Sequence, residues 1–169
     1  MDDPRGRLTK DGIRIHEPGD FAGMHAAGRL AAGILDEVGA LVQPGVATEA
    51  LDAFIEERVN AAGAKSATIG YRGYQHASCI SVNHVVCHGI PGPKVLKDGD
   101  ILNIDVTVIV DGWYGDTSRM FVAGALPRKA ERLIQVTHDA LMLGIEAVRP
   151  GNHFGDIGHA IQSYVEAQR

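Results

Sequence analysis

The stretch that decides the fold is residues 100–121, DILNIDVTVIVDGWYGDTSRMF. It contains two runs rich in Val, Ile, Thr, Tyr and Phe, and the pair Asp111-Gly112 separates them. An Asp-Gly pair between two such runs is the strongest short-range signal for a β-hairpin. A two-residue turn at this point places Asp105 opposite Ser118. The sequence therefore predicts an antiparallel hairpin whose register is set by its turn.

The predicted hairpin has one polar and one apolar face, because opposed side chains share a face and successive side chains alternate. The polar face comprises Asn103, Asp105, Thr107, Tyr114, Asp116 and Ser118. The apolar face comprises Leu102, Ile104, Val106, Val108, Val110, Trp113 and Phe121. Asp105 and Asp116 become diagonal neighbours on the polar face, with backbones roughly 7–8 Å apart.

Two aspartates directed at one place on a strand pair need an explanation, since Asp is depleted in strands. One explanation is a metal ion, because two close carboxylates repel each other unless a proton or a cation lies between them. The other is an ordinary solvent-facing side of an antiparallel hairpin, where a polar stripe is expected. The hairpin alone favours neither explanation.

The composition is that of a globular protein with a real core, with 169 residues, 45% hydrophobic and 22% charged. Its net charge of −5 argues against general binding of nucleic acid or of an anionic membrane. No run approaches membrane-spanning length, and the first residues lack the apolar segment of a secretory leader. With two cysteines, Cys79 and Cys87, we expect a cytoplasmic protein with reduced thiols. Cys87, His88 and His84 lack the spacing of a structural zinc site.

Helical periodicity and turn residues divide the rest of the chain. The predicted elements are an arm over 1–19, a helix from Asp20 to Pro44-Gly45, a helix capped by Thr48 and ending at Gly63, strands near 64–69 and 78–83, a helix opened by Pro127 and ended by Pro150-Gly151, and a last helix to the terminus.

This order contains an internal repeat. A long helix, a Pro-Gly pair and an amphipathic helix occur around Pro44 and again around Pro150, 106 residues later. The matched apolar positions are Leu35 with Leu141, Val42 with Val148 and Ile55 with Ile161. Helix-turn-helix units are common enough for one matched pair to be a coincidence. If the repeat is genuine, the chain holds one half of a duplicated fold and the beginning of the second half.

Six segments resemble the bacterial-type (type I) methionine aminopeptidases. They are GYRGY (70–74), CISVN (79–83), VVCHGIP (85–91), LKDGD (96–100), NIDVT (103–107) and GDTS (115–118). Together these linked segments are far more specific than a single short motif. The resemblance implies an α+β class and the pita-bread (creatinase/aminopeptidase-like) fold, in which two pseudo-equivalent αβ halves surround a dinuclear metal centre. We expect residues 20–169 to form an incomplete catalytic domain, namely the first αβ half with the opening helices of the second.

The resemblance also implies roles for individual residues. Asp105 is expected to bind one metal ion and Asp116 to bridge two, and carboxylate oxygens suit Co²⁺, Mn²⁺, Fe²⁺ or Zn²⁺. His88 is expected to be a catalytic residue that hydrogen-bonds the substrate without binding metal, although a lone His in a turn is more often a solvent contact. The expected pocket for the methionine side chain is lined by Thr68, Tyr71, Tyr74 and Cys79. Ordinary core packing is the alternative for Cys79.

The activity implied by the resemblance is removal of the initiator methionine from nascent proteins, with peptide N-termini as partners and an association with the ribosome. The family takes further ligands, one His and two Glu, from its second half, and these have no counterpart here. We therefore expect the 169 residues alone to be a truncated form that binds metal weakly, lacks activity and self-associates. A catalytically inactive half-fold that binds a partner is the alternative. A proline-specific relative is disfavoured by the match at Tyr71 and Tyr74.

Overall fold

The computed structural model describes residues 5–168. Two compact units, divided between Ala125 and Leu126, contain its helices and strands. The first unit comprises β1 (Arg7–Leu8), β2 (Arg14–Ile15), α1 (Phe21–Gly39), α2 (Thr48–Ala61), β3 (Lys65–Ser66), β4 (Ser78–Val82), β5 (Asp100–Val110) and β6 (Trp113–Ala123). The second comprises α3 (Arg128–Glu146) and α4 (Phe154–Ala167). Within residues 5–168, no helix has the length and apolar character needed to cross a bilayer.

Strand β5 is the centre of the antiparallel sheet. One edge of β5 pairs with β6 along its whole length, and the other edge pairs first with β4 and then, near its end, with β3. In this arrangement Cys79 of β4 and Ser118 of β6 flank Asp105 of β5 on its two sides. The sheet therefore brings side chains from three strands to the face that carries the aspartates.

The predicted hairpin, its register and its two-residue turn are confirmed. Thr107 lies opposite Asp116, as the Asp-Gly turn requires. Asp111 and Gly112 both have positive φ, 48° and 79°, which is the conformation of the two-residue type I′ turn. On the apolar face, the side chains of β5 from Leu102 to Val108 are buried, whereas Asp116 and Ser118 on the polar face are exposed.

The hydrophobic core lies between this sheet and helices α1 and α2. Its helical members are Ala31, Ile34, Leu35, Val38, Leu51, Ile55 and Val59, and its sheet members include Ile80, Val82, Leu102, Ile104, Val106 and Val108. Small residues let α1 lie very close to β6. A Cβ atom built on Gly115 would lie 2.2 Å from the carbonyl oxygen of Ala27, so only glycine fits at this crossing.

Three predicted helix boundaries are wrong. One is the end of α3, which stops at Glu146 and not at Pro150-Gly151. Thr48 is the first residue of α2 and not its N-cap, and Ala47 is in the cap position. The Thr48 hydroxyl is used elsewhere, since it donates to the Gly92 carbonyl at 3.0 Å and accepts from the Gly92 N–H at 3.0 Å. Helix α1 ends at Gly39, before Pro44-Gly45, because the following residues form successive turns.

Strand β3 is shorter than predicted. It ends at Ser66 because the Thr68 side chain turns the chain away, donating a hydrogen bond to the His76 carbonyl at 2.7 Å. A short 3₁₀ turn, Tyr71–Gly73, follows, preceded by Gly70 at φ 88°. Residues 67–77 therefore form a loop that leaves the sheet and returns to β4.

The predicted N-terminal arm has structure of its own, although residues 1–4 lie outside the described residues. Strands β1 and β2 pair as a small ribbon, with Arg7 opposite Ile15. The Arg5 guanidinium stacks over the ring of Trp113 at 4.2 Å, and His16 packs against the same ring. The arm thus contacts the turn end of the β5–β6 hairpin.

The helix repeat is confirmed. Helices α1 and α3 both have 19 residues, and α2 and α4 both have 14. The glycines of the two Pro-Gly pairs have nearly the same backbone conformation, with φ 93° at Gly45 and 94° at Gly151. In the second unit, a Cβ on Gly144 would lie 2.8 Å from Ile161, so α3 and α4 also pack closely.

Candidate functional site

Two carboxylates converge on the polar face of the β5–β6 hairpin. Asp105 is held by the paired neighbours Cys79 and Ser118, and Asp116 lies diagonally across on β6. Asp105 is half-buried, whereas Asp116 is exposed. The arrangement is the one that the Asp-Gly register predicts.

Burial and the charge of Asp116 both raise the pKa of Asp105, and the imidazole of His88 acts in the opposite direction. Burial is the larger cause because it removes water from the ionised form, and the repulsion from Asp116 adds to it. Asp116 and His88 are therefore both close enough to Asp105 to act on its charge. A cation is the group that would relieve this repulsion.

Hydrogen bonds orient the members of this polar face. The Thr107 hydroxyl donates to Oδ1 of Asp116 at 2.9 Å, so this bond does not use the second carboxylate oxygen. Asn103 donates its amide to the Ser118 hydroxyl at 3.2 Å. Thr107 was placed opposite Asp116 by the register alone, but no sequence motif indicates that it holds the carboxylate.

His88 lies in an exposed turn pressed onto β4. Its own backbone has φ 54°, in the left-handed region that residues other than Gly rarely adopt, Asn, Asp and His more often than the rest. The next residue, Gly89, donates its N–H to the Ser81 hydroxyl at 3.1 Å and accepts from Ile80 N–H at 2.8 Å. A Cβ on Gly89 would lie 2.2 Å from the Ile80 carbonyl oxygen, so the glycine lets this turn lie against the strand.

Two of the four residues predicted for the side-chain pocket, Tyr74 and Cys79, are joined by a hydrogen bond. The Tyr74 hydroxyl donates to the Ser78 carbonyl at 2.8 Å, and the Cys79 thiol donates to the Tyr74 oxygen at 3.6 Å. The Thr68 hydroxyl donates to the backbone carbonyl of His76, two residues before Ser78. Tyr71 is different, since it is 65% exposed and its ring contacts the Arg72 guanidinium at 5.5 Å.

Burial controls the ionisation of this group. It raises the pKa of the Tyr74 hydroxyl, and the hydrogen bond from Cys79 adds to the effect. Burial also raises the pKa of the Cys79 thiol, against the opposing effect of the hydrogen bond with Tyr74, and the nearby charge of Asp105 adds to the rise. Both groups are therefore neutral at physiological pH and present an apolar, polarisable surface.

The sequence prediction missed three residues behind this loop. Asp52 of α2 is only 5% exposed and is bound to Ser78 and His76. A signal was present, because Asp52 lies in the apolar stripe that includes Ile55 and Val59, at helical spacing. A charged residue in such a stripe needs partners.

The donors on this face fit part of a divalent metal site. Asp105 and Asp116 provide carboxylate oxygens, which suit hard and borderline divalent ions, and their repulsion gives a cation a reason to bind. Among residues 5–168, no group of three or more His, Cys, Asp and Glu side chains lies together as a complete site. The two carboxylates can therefore serve as two ligands of a larger set.

Comparison with known proteins agrees with this geometry. Residues 22–169 match Metallopeptidase family M24. Methionine aminopeptidase from Rickettsia prowazekii is 55% identical over 154 residues, covering 91% of this chain and 60% of that protein. Methionine aminopeptidase from Escherichia coli is 50% identical over 158 residues, covering 92% and 60%. The chain thus spans about 60% of the length of the curated relatives it matches.

Solved structures give the same result. The crystal structure of the Rickettsia prowazekii methionine aminopeptidase superposes with a TM-score of 0.91 at 54% identity, over 92% of this chain and 63% of that one. Prolidase from Pyrococcus furiosus shares the fold, with a TM-score of 0.80 at 17% identity, over 90% of this chain and 44% of that one. The expected α+β pita-bread class is confirmed by both likenesses. On the match of residues 22–169, the chain belongs to metallopeptidase family M24.

Proposed function

We propose that this chain supplies the first half of the active site of a metal-dependent aminopeptidase that removes the N-terminal methionine from proteins. The observation that carries the proposal is the convergence of Asp105 and Asp116 beside His88 on one face of the sheet. Support comes from relatives at 50% and 55% identity that are methionine aminopeptidases. In this reading, residues 20–169 belong to the catalytic domain.

Asp105 and Asp116 would hold a pair of divalent ions in this proposal, and these ions would be Co²⁺, Mn²⁺, Fe²⁺ or Zn²⁺. Bound divalent ions polarise a carbonyl oxygen and lower the pKa of a bound water toward neutrality. Thr107 fixes the rotation of the Asp116 carboxylate by donating to Oδ1, so the other oxygen keeps one direction. The carboxylates would thus be oriented before an ion arrives.

His88 acts on the substrate in this proposal. Its exposed turn lies along β4 and is close enough to Asp105 to affect the pKa of that carboxyl. An imidazole N–H at this place can donate a hydrogen bond to the substrate as negative charge develops on the scissile carbonyl oxygen. The contacts of Gly89 with β4 hold the turn in position.

The pocket residues Thr68, Tyr71, Tyr74 and Cys79 receive the methionine side chain in this proposal. Tyr74 and Cys79 are neutral and linked to each other, and their aromatic and sulfur atoms suit a thioether. The exposed ring of Tyr71 would form the solvent-facing edge of this pocket. The proposed partners are the N-termini of nascent chains at the ribosome, in the cytoplasm.

A non-catalytic binding module is the second candidate. The exposed apolar side chains of α3 and α4 favour it, since Leu141 is 53% and Phe154 is 94% exposed. Against it stands the pair of strand aspartates, which a simple binding surface does not need. Release of methionine from a Met-Ala-Ser peptide by the full-length protein separates the two candidates, and failure to release any at metal saturation would eliminate the enzyme.

The assigned roles predict different losses for Asp116→Ala and His88→Ala. The first variant should abolish turnover, because Asp116 organises the metal centre. The second should lower kcat by ~10²–10³, the usual effect of losing one donor to a developing oxyanion. Steady-state kinetics on the same peptide with saturating Co²⁺ measures both. Asp11→Ala is the control, since Asp11 is exposed and far from the sheet in sequence. Greater damage from His88→Ala than from Asp116→Ala would mean that the roles are misassigned.

A further inference from the structure

Asp52 anchors the loop that carries the pocket residues. Its Oδ1 accepts the Ser78 N–H at 2.9 Å and the Ser78 hydroxyl at 2.7 Å, and its Oδ2 lies 3.0 Å from Nδ1 of His76. A carboxylate accepts only, so Nδ1 of His76 is the donor in this pair. Asp52 is buried on helix α2, and its carboxylate is fixed by three donors, two from Ser78 and one from His76.

His76 connects this anchor to the pocket. Its ring packs against the edge of Tyr74, with centroids 5.5 Å apart and planes at 64°, which is a favourable edge-to-face contact. Its carbonyl accepts the Thr68 hydroxyl at 2.7 Å. His76 therefore contacts one pocket residue with its ring and a second with its backbone.

The contacts continue from Tyr74 to Cys79. The Tyr74 hydroxyl is held by the Ser78 carbonyl and accepts the Cys79 thiol, so the ring of Tyr74 lies between His76 and the thiol. The Tyr74 ring is held by the His76 ring and by its own hydroxyl, and these two contacts restrict rotation of the side chain. If the His76 ring turned away, the Tyr74 side chain would lose the ring contact and keep the contacts of its hydroxyl with Ser78 and Cys79.

We propose that His76, held by Asp52, is a positioning residue that fixes Tyr74 and Cys79 as one wall of the pocket for an unbranched apolar or thioether side chain. The identity of that side chain rests on the proposed function, but the positioning of Cys79 does not. His76 itself is partly exposed, so its role does not come from filling the core. Its two side-chain contacts, to Asp52 and to Tyr74, hold this wall of the pocket in one position.

The first test measures how well Tyr74 shields the thiol. In full-length protein carrying Cys87→Ala, Cys79 should react with iodoacetamide about fivefold faster after His76→Leu, because the released Tyr74 exposes the sulfur. His76→Asn keeps a side-chain N–H for Asp52 but lacks the ring, so it should give a smaller increase. His84→Leu is the matched control at an exposed histidine and should leave the rate unchanged. Peptide mass spectrometry confines the measurement to Cys79.

The second test separates positioning from general stability. For a methionyl peptide, His76→Leu should raise KM about tenfold and leave kcat within about twofold, since the pocket wall acts on binding and not on the reacting bond. If His76→Leu does not fold, His76→Asn decides the matter by the same thiol measurement. Alkylation rates unchanged in the folded variants would overturn the proposal. An enzyme that never released methionine would refute the proposed function instead, while the thiol rates would still decide the role of His76.

Discussion

Asp105 lies half-buried beside the charge of Asp116, and its carboxyl keeps a proton to a higher pH in the folded chain than in the unfolded chain. The free energy of unfolding therefore falls as the pH rises above the ordinary Asp pKa. This loss of stability is complete once the pH exceeds the raised pKa of the folded state. Without metal, Asp105 thus destabilises the protein at neutral pH.

Asp105→Asn should therefore raise the melting temperature of the metal-free protein at about pH 7, because it removes a disfavoured charge. At about pH 3, where both states hold the proton, the variant and the parent should melt together. Thermal melts followed by circular dichroism in chelator measure this difference. Asp11→Asn, at an exposed loop, is the control. A variant that melts lower than the parent at neutral pH would contradict the assigned charge repulsion.

Individual residues were unequally predictable from the sequence. Asp105 and Asp116 followed from alternation and one turn, since those rules are local. The exposure of Tyr71 and the bonds of Asp52 with His76 and Ser78 were not predictable. They depend on how a loop folds back over a helix more than twenty residues away in sequence, and no local rule fixes such a contact.

At the scale of elements, the crossing of α1 and β6 positions the site. Gly115 precedes Asp116, and its missing side chain lets the backbone of α1 lie against the strand. The apolar side of α1 was predictable from its periodicity, but its end was not. The residues after Gly39 form turns, and their sequence is as compatible with a helix as with turns, so the pattern does not mark the end of α1.

Gly115→Ala should destabilise the protein by about 1–3 kcal/mol or more, as overpacking does, because its Cβ would collide with the Ala27 carbonyl. Gly28→Ala, on the facing helix, is the matched control. A Cβ at Gly28 has no atom within 4 Å, and alanine favours a helix, so this variant should gain up to about 1 kcal/mol. Urea denaturation gives both values. Equal stabilities of the two variants would show that the close approach is absent.

At the scale of the whole molecule, the two units differ in how much they bury. Every member of the hydrophobic core lies in the first unit. In the second, α3 buries only Ala140 and Gly144, and α4 buries none of its described residues. The repeat of helix lengths was predictable from the spacing of the two Pro-Gly pairs. That α3 and α4 lack a comparable core was not predictable, because their sequences carry apolar periodicity and only the folded structure shows which side chains are buried.

Residues 1–125 alone should unfold cooperatively, because they retain the sheet, α1, α2 and the core. Residues 126–169 alone should show little helix, because this helix pair buries only Ala140 and Gly144 of α3 and no described residue of α4, and so small a core leaves short helices marginal in water. Far-UV circular dichroism during a thermal melt of each fragment measures both outcomes. A gradual, non-cooperative melt of the longer fragment would contradict the assignment of the core.

The left-handed backbone at His88 also has an evolutionary consequence. Asparagine tolerates positive φ, and a single nucleotide change converts either histidine codon to an asparagine codon. His88→Asn should therefore melt at the temperature of the parent while losing the imidazole that the proposed chemistry uses. Natural variants at this position can keep the shape of the turn and lose its reactivity, so a gene copy released from selection could persist as a folded protein without the activity.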